Sequence, residues 1–331
     1  MALRIHLNAA VALVLSSVLA ACSSAPKQPE WIDKPDAEYP AHTHLAAIGS
    51  ADNRPLAADR AVSNLSKIFE VAVAESSLDF SSAQLSSTGG QQVSSNEQKV
   101  TRSVSTEAKQ VMSGAQVVEY WESEEDARIY ALAILAKQPA ANRFRKSITT
   151  SDREINELVN YATSKAGNPL VALKALKKAH GLQLERDQLN KNLMVVASGQ
   201  GVDGRYDLPA IEKLIRDGLS TLKIAVKADD PSVKAELQKA ISDLGITTAQ
   251  QSNLVLQGTL DTAPVEARQN WYWLRGSYEL IFFDGSNVLD KQRWPIKVSS
   301  TEQNLLKQRA RDEINRNLPQ YVFDMLSSAP N

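Results

Sequence analysis

A single cysteine, Cys22, stands in the 331 residues of this chain. One thiol cannot close a disulfide within the chain or supply a multi-cysteine metal site, so the fold must be held by packing, hydrogen bonds and charge. The constraint bites because the residues before Cys22 read as an export signal, and small exported domains often depend on disulfides. Arg4 and the amino terminus supply positive charge, and Leu7 to Leu19 is apolar apart from Asn8, Ser16 and Ser17. A membrane span needs about 20 apolar residues, so this shorter, interrupted run fits a cleaved signal better than a span.

The apolar run ends at Leu19-Ala20-Ala21-Cys22, which resembles the bacterial lipobox. Small side chains at 20 and 21 fit a narrow peptidase groove, and the Cys22 thiol is the group that accepts a diacylglyceryl lipid. The expectation is cleavage between Ala21 and Cys22, removal of residues 1–21, and a Cys22 carrying acyl chains such as palmitate. Ser23 and Ser24 follow, without the Asp at 23 that holds many lipoproteins at the inner membrane. The expected location is therefore the periplasmic leaflet of the outer membrane. Residues 22–30 contain Pro26 and Pro29 and form an extended, lipidated tether.

Hydrophobic residues make up 43% and charged residues 23%, values that allow a packed globular core. Arg4 is the only charged side chain before Cys22, so the mature chain has 36 Lys and Arg against 38 Asp and Glu. Such a balance gives no general attraction to nucleic acid.

The remaining chain reads as α+β in three parts. Residues 31–138 form a small α+β domain. A strand covers His44 to Ser50, and Ala58, Ala61, Val62, Leu65, Ile68, Phe69 and Ala72 recur at helical spacing. Val73 to Leu85 alternates in part, as a strand would. Ser86 to Gln98 is a Ser/Gln/Gly loop, and Val100 to Met112 is helical. Val117 to Trp121 and Ile129 to Leu135 close the domain as a hairpin. Residues 139–203 are a helical segment. Ser151 to Glu154 fits a capping box, Asn168-Pro169 opens a second helix ending at Gly181, and Leu182 to Ala197 forms a third. Residues 204–331 form a C-terminal α+β domain with a mainly antiparallel sheet. Its helices are marked by Ile211 to Leu219, by Asp230-Pro231 to Gly245, and by Glu302 to Leu326. Its strands are Leu222 to Val226, Leu254 to Leu260, Trp271 to Phe283 and Val288 to Val298.

The first domain resembles the LPP20 family of bacterial lipoproteins. The matching residues are Pro29-Glu30-Trp31, Leu45 to Ala51, the helix around Ala57 and Ala61, Val117 to Trp121, and Ile129 to Ala133. The resemblance implies a small α+β domain on an envelope lipoprotein, with no catalytic residues. Some members of that family are associated with the flagellar basal structure at the outer membrane. The C-terminal part is similar in element order to the amino-terminal domain of the periplasmic protein TolB.

Candidate chemistry is sparse. His42 and His44 have metal-ligand chemistry at i, i+2 spacing, but no third ligand is fixed, so no metal or cofactor is expected. His180 beside Gly181 suits a helix C-terminus. There is no G-x-S-x-G elbow, no phosphate-binding Gly-rich loop, and the S-x-x-K at Ser24 to Lys27 lies in the tether. The chain is thus expected to be no enzyme. Trp271-Tyr272-Trp273 is the candidate contact for a partner or glycan, with Arg268, Arg275, Arg293 and Trp294 expected near it. On a strand, Trp271 and Trp273 share one face and Tyr272 takes the other. The partners expected are the outer membrane through the lipid, and envelope proteins or further copies of the chain in a scaffold. The alternative is a regulatory or glycan-binding module acting on peptidoglycan or its synthases.

Overall fold

A computed structural model describes residues 28–68 and 114–328. Ala21 and Cys22 lie outside these residues, as do the expected strand at Val73 to Leu85, loop at Ser86 to Gln98 and helix at Val100 to Met112. The chain is mixed α+β, and the described residues fall into two compact units: 28–68 with 114–140, and 141–328.

The first unit is built on β1 (His44–Ala51), β2 (Gln116–Glu122) and β3 (Ile129–Ala136). They form an antiparallel sheet in the order β1-β3-β2. The central strand is covered on both faces, which is why Ala131 to Leu135 is continuously apolar rather than alternating. On one face lies helix α1 (54–68), capped by Asn53, whose side chain accepts from the Leu56 amide at 3.0 Å. Ala57, Ala61 and Leu65 of α1 are fully buried. Helix and strand approach so closely that a Cβ on Gly49 would fall 2.1 Å from the Ala61 nitrogen. On the other face a short 3-10 turn, Glu30–Ile32, seats Trp31 against Leu132 and Ile134 with 3% of its surface exposed.

The second unit takes up helix α2 (Lys137–Ser164) from residue 141 onward, then α3 (Pro169–Val196), α4 (Leu208–Ser220) and a mixed sheet. Two helix boundaries differ from the sequence reading. Ser151 does not start a helix: its hydroxyl donates to the Ser147 carbonyl at 3.2 Å, inside the continuous α2. Nor does α3 end at Gly181. Buried residues on both sides of the glycine, from Leu173 to Ala179 and from Gln183 to Val196, carry one helix through it. An interior glycine costs about 1 kcal/mol against alanine, less than this packing supplies. The caps at Asn168, Asp207 and Asp230 form as true boundaries, each accepting a backbone N–H and each followed by proline in the first turn.

The sheet comprises β4 (Lys223–Ala228), β5 (Thr247–Ala249), β6 (Leu254–Thr262), β7 (Glu266–Arg268), β8 (Trp271–Asp284) and β9 (Asn287–Ser300). Strands β5 and β6 flank β4 in parallel, with α5 (Pro231–Asp243) as the crossover from β4 to β5. Strand β8 pairs antiparallel with β6 and β7 along one edge and with β9 along the other. The β8–β9 turn places Gly285 at φ 59°, where glycine has no steric cost. One face of the sheet carries the main core, in which Leu256, Leu274, Tyr278, Leu280, Phe282, Ile296 and Val298 meet α5 and the last helix, α6 (Leu306–Ser328).

The close helix–strand approach yields a stability prediction for the first unit. Gly49→Ala forces a methyl into backbone atoms and should lower stability by about 1–3 kcal/mol in urea unfolding. Gly167→Ala, where a Cβ would meet nothing within 4 Å, should stay within about 0.5 kcal/mol of the parent.

Candidate functional site: the outward face of the mixed sheet

Alternation along β8 sorts the aromatic cluster. Tyr272 lies on the core side, partly buried against the main core, one pleat from Leu274. Trp271 and Trp273 point to the opposite face, where Trp271 is 45% exposed. No described helix packs on that face. Its next outward residue, Arg275, stands directly across from Lys297 of β9. The Lys297 ammonium lies 5.6 Å from the centre of the Trp273 ring.

The neighbouring charges are matched. Arg293 donates to the Ser277 hydroxyl at 2.8 Å and reaches Asp261 at 3.4 Å, and Lys291 meets Glu279 at 3.1 Å. Arg268 on β7, across from Trp271, reaches Glu266 at 3.7 Å. Among the described residues, Arg275 and Lys297 hold no ion pair. The face thus offers two indoles beside two unmatched cations. Trp294, expected near this cluster, lies on the other side of the sheet. Its ring stacks on Tyr321 of α6, with centroids 4.0 Å apart and planes at 12°.

The histidines fall elsewhere. His42 sits in a turn before β1, so it does not share a strand face with His44. The Thr43 hydroxyl lies 3.0 Å from His44 Nδ1, and Tyr39 meets the ring edge-on at 5.5 Å. Among the described residues, no group of three or more His, Cys, Asp or Glu could hold a metal ion, and no helix is long and apolar enough to cross a membrane. His180 caps no helix end: it lies inside α3, with Nε2 3.4 Å from Glu212 of α4. Burial pushes its pKa down, outweighing the pull of Glu212 in the other direction.

Sequence reasoning missed Arg186. Its guanidinium is buried, donating to Asp152 at 3.0 Å and to the Val202 carbonyl at 2.6 Å. The Val202 amide in turn donates to Asn190 at 2.7 Å. This holds the Gly-rich stretch after α3 in place. The only signal in the sequence was three closely spaced glycines with no turn motif to anchor them.

Residues 29–136 match the family model described as LPP20 lipoprotein. The match spans about a third of the chain and covers the sheet of the first unit and its Trp31 turn. No curated protein matches the chain. Among solved structures, it is similar to the secreted protein HP1454 from Helicobacter pylori at 10% identity. That likeness covers 84% of this chain and 97% of the other, with a TM-score of 0.42. It is also similar to a minor lipoprotein from Acinetobacter baumannii at 11% identity, covering 32% of this chain and 90% of the other, with a TM-score of 0.26. TM-scores this low do not establish a shared fold.

Two outcomes are expected from this geometry. Trp271→Ala should change stability by no more than about 0.5 kcal/mol, whereas Leu274→Ala, three residues on and 2% exposed, should cost about 2–5 kcal/mol. Thermal melts of the two variants check this.

The second outcome follows from His180. Its folded pKa is depressed, so below about pH 6.5 the unfolded chain binds a proton that the folded chain does not. The contribution present above that pH is lost as pH falls toward the depressed value. His180→Gln should therefore flatten the fall in melting temperature between about pH 7.5 and pH 5.5.

Proposed function

We propose that this protein is a non-enzymatic lipoprotein, held on the periplasmic leaflet of the outer membrane by acyl chains on Cys22, that serves as an assembly or scaffold component of the cell envelope. The observation that carries the reading is a spacing. The match to a lipoprotein family begins at residue 29, just after the Leu19-Ala20-Ala21-Cys22 lipobox. The lack of a nucleophile elbow, phosphate loop or zinc signature in the sequence supports a role in binding rather than catalysis. The partners of this reading are envelope proteins or further copies of the chain, and the flagellar basal structure is one assembly of the kind. Nucleic acid is not among them, since the mature chain has 36 Lys and Arg against 38 Asp and Glu.

The tether limits where such partners can be. Between Cys22 and Trp31 the chain can extend at most about 29 Å, at about 3.3–3.6 Å per residue. The first unit therefore works close to its own leaflet.

A second reading, a regulatory or glycan-binding module acting on peptidoglycan or its synthases, is favoured by the outward Trp271 and Trp273 beside Arg275 and Lys297. Pull-down from detergent-solubilised envelopes separates the two: large assemblies support the scaffold, and retained muropeptides or synthases support the module.

Anchoring is tested by growing cells with an alkyne fatty acid. The parent chain should carry the label and fractionate with the outer membrane. Cys22→Ser should lose both, because each buried CH₂ of an acyl chain contributes about 0.8 kcal/mol to membrane attachment. Label that persists in the Ser variant, or a parent chain found with the inner membrane, would overturn the assignment.

A further inference from the structure

We infer that the outward face of the mixed sheet, centred on Trp271, Trp273, Arg275 and Lys297, is a docking site for a carboxylate-bearing polysaccharide. The inference rests on the reading of this chain as an envelope binding module and gives that module a place and a ligand chemistry.

The first argument is electrostatic. Arg275 and Lys297 stand directly opposite each other on paired strands. Like charges in that position repel and weaken the pairing. On the same two strands the other cations are matched, Lys291 by Glu279 and Arg293 by Asp261. A strand pair that neutralises its other cations but leaves two facing each other has room there for an anion from outside.

The second argument is the surface beside that charge. Trp271 and Trp273 are two residues apart on one strand face, about 6.5–7 Å along β8. Their rings offer flat apolar area, and Trp271 is exposed. A sugar ring presents C–H bonds on one face and can lie on an indole, while a carboxylate on the same polymer reaches the Arg275–Lys297 pair. No described element stands over this part of the sheet, so an extended strand can cross it without an end having to enter a pocket.

The charge pattern also selects against a membrane surface. An anionic bilayer acts as a diffuse field and rewards net positive charge over a wide area. Here Glu279, Asp261 and Glu266 cancel most of the neighbouring cations, which leaves a discrete pair. A discrete pair beside two indoles fits a ligand whose charges are spaced along an apolar backbone.

The test is co-sedimentation of purified residues 22–331 carrying Cys22→Ser, which have neither signal nor acyl chains to insert into a bilayer, with insoluble peptidoglycan sacculi. Parallel samples contain sacculi whose carboxylates have been converted to amides, and phosphatidylcholine vesicles with about 30% phosphatidylglycerol as the rival surface. Native sacculi should retain the chain, with amidated sacculi and vesicles retaining it about tenfold less. Trp271→Ala and the double variant Arg275→Gln, Lys297→Gln should each weaken retention by about tenfold. The double variant should melt close to the parent, because the repulsion it removes offsets the Lys297–Trp273 contact it also removes, and Arg275→Lys with Lys297→Arg should restore retention. Equal retention on native and amidated sacculi, preference for the vesicles, or retention unaffected by the variants would each overturn the site. The amidation arm needs no substitution, so it decides the matter even if a variant misfolds. If native sacculi fail to retain the chain with this face intact, while the parent still takes up fatty acid at Cys22, the site falls and the lipoprotein reading stands.

Discussion

Strand β8 is the element on which the second unit depends. It pairs with three other strands, and its side chains alternate between a face that fills the core and a face that meets the outside. Because the strand period is two, a slip of one residue would send Leu274, Leu280 and Phe282 outward and drive Trp271, Trp273 and Arg275 into the core. Burying an arginine without a partner is so unfavourable that the hydrophobic set and the charged set fix the register together. The aromatic face is thus not an addition to the sheet. It is the other half of the pattern that places the core.

Strand β9 shows how the sheet ends. Among the described residues its outer edge has no partner, and it runs for 14 residues, long for an exposed edge. Such edges invite pairing with other chains. Pro295 removes one backbone donor from the middle of the strand. Lys291, Arg293 and Lys297 alternate along it, and the register shifts near its start, at Phe282/Phe283 of β8. Each feature discourages a second strand from adding on, in keeping with a proposed contact on the face rather than the edge.

Much of this was legible in the sequence. Strands β1, β8 and β9 and the β2–β3 hairpin follow from alternation and turn residues, and Asn168-Pro169 and Asp230-Pro231 mark helices that begin where they should; the cap at Asp207 was not read from the sequence, where only Ile211 to Leu219 marked that helix. The family likeness of the first domain could be read from Trp31, Gly49 and the apolar β3. Local signals failed where tertiary packing outweighed them. Ser151 and Gly181 look like helix boundaries, yet burial on either side carries each helix through. Short β5 and β7 have three residues each, too few for any periodicity to show. At the candidate site, the sequence placed Trp271 and Trp273 on one face but could not say which face was the core. It also could not show that Arg275 and Lys297 would be neighbours, since 22 positions separate them and only the β8–β9 register brings them together.

Trp31 has a mechanical meaning. It is the first buried side chain among the described residues, so if Cys22 carries a lipid, as proposed, a pull from the membrane enters the first unit there. The turn that carries it is not a strand of the sheet; it holds by the burial of the Trp31 indole against Leu132 and Ile134, with Ile32 packed beside it. A load on the proposed lipid would therefore not first shear the β1–β3–β2 ladder residue by residue. It would draw one side chain from its socket first, and the sheet would yield only afterwards. On that reading the anchor would have a weak link in series with a strong one, and release of Trp31 would free more chain before the domain itself came apart.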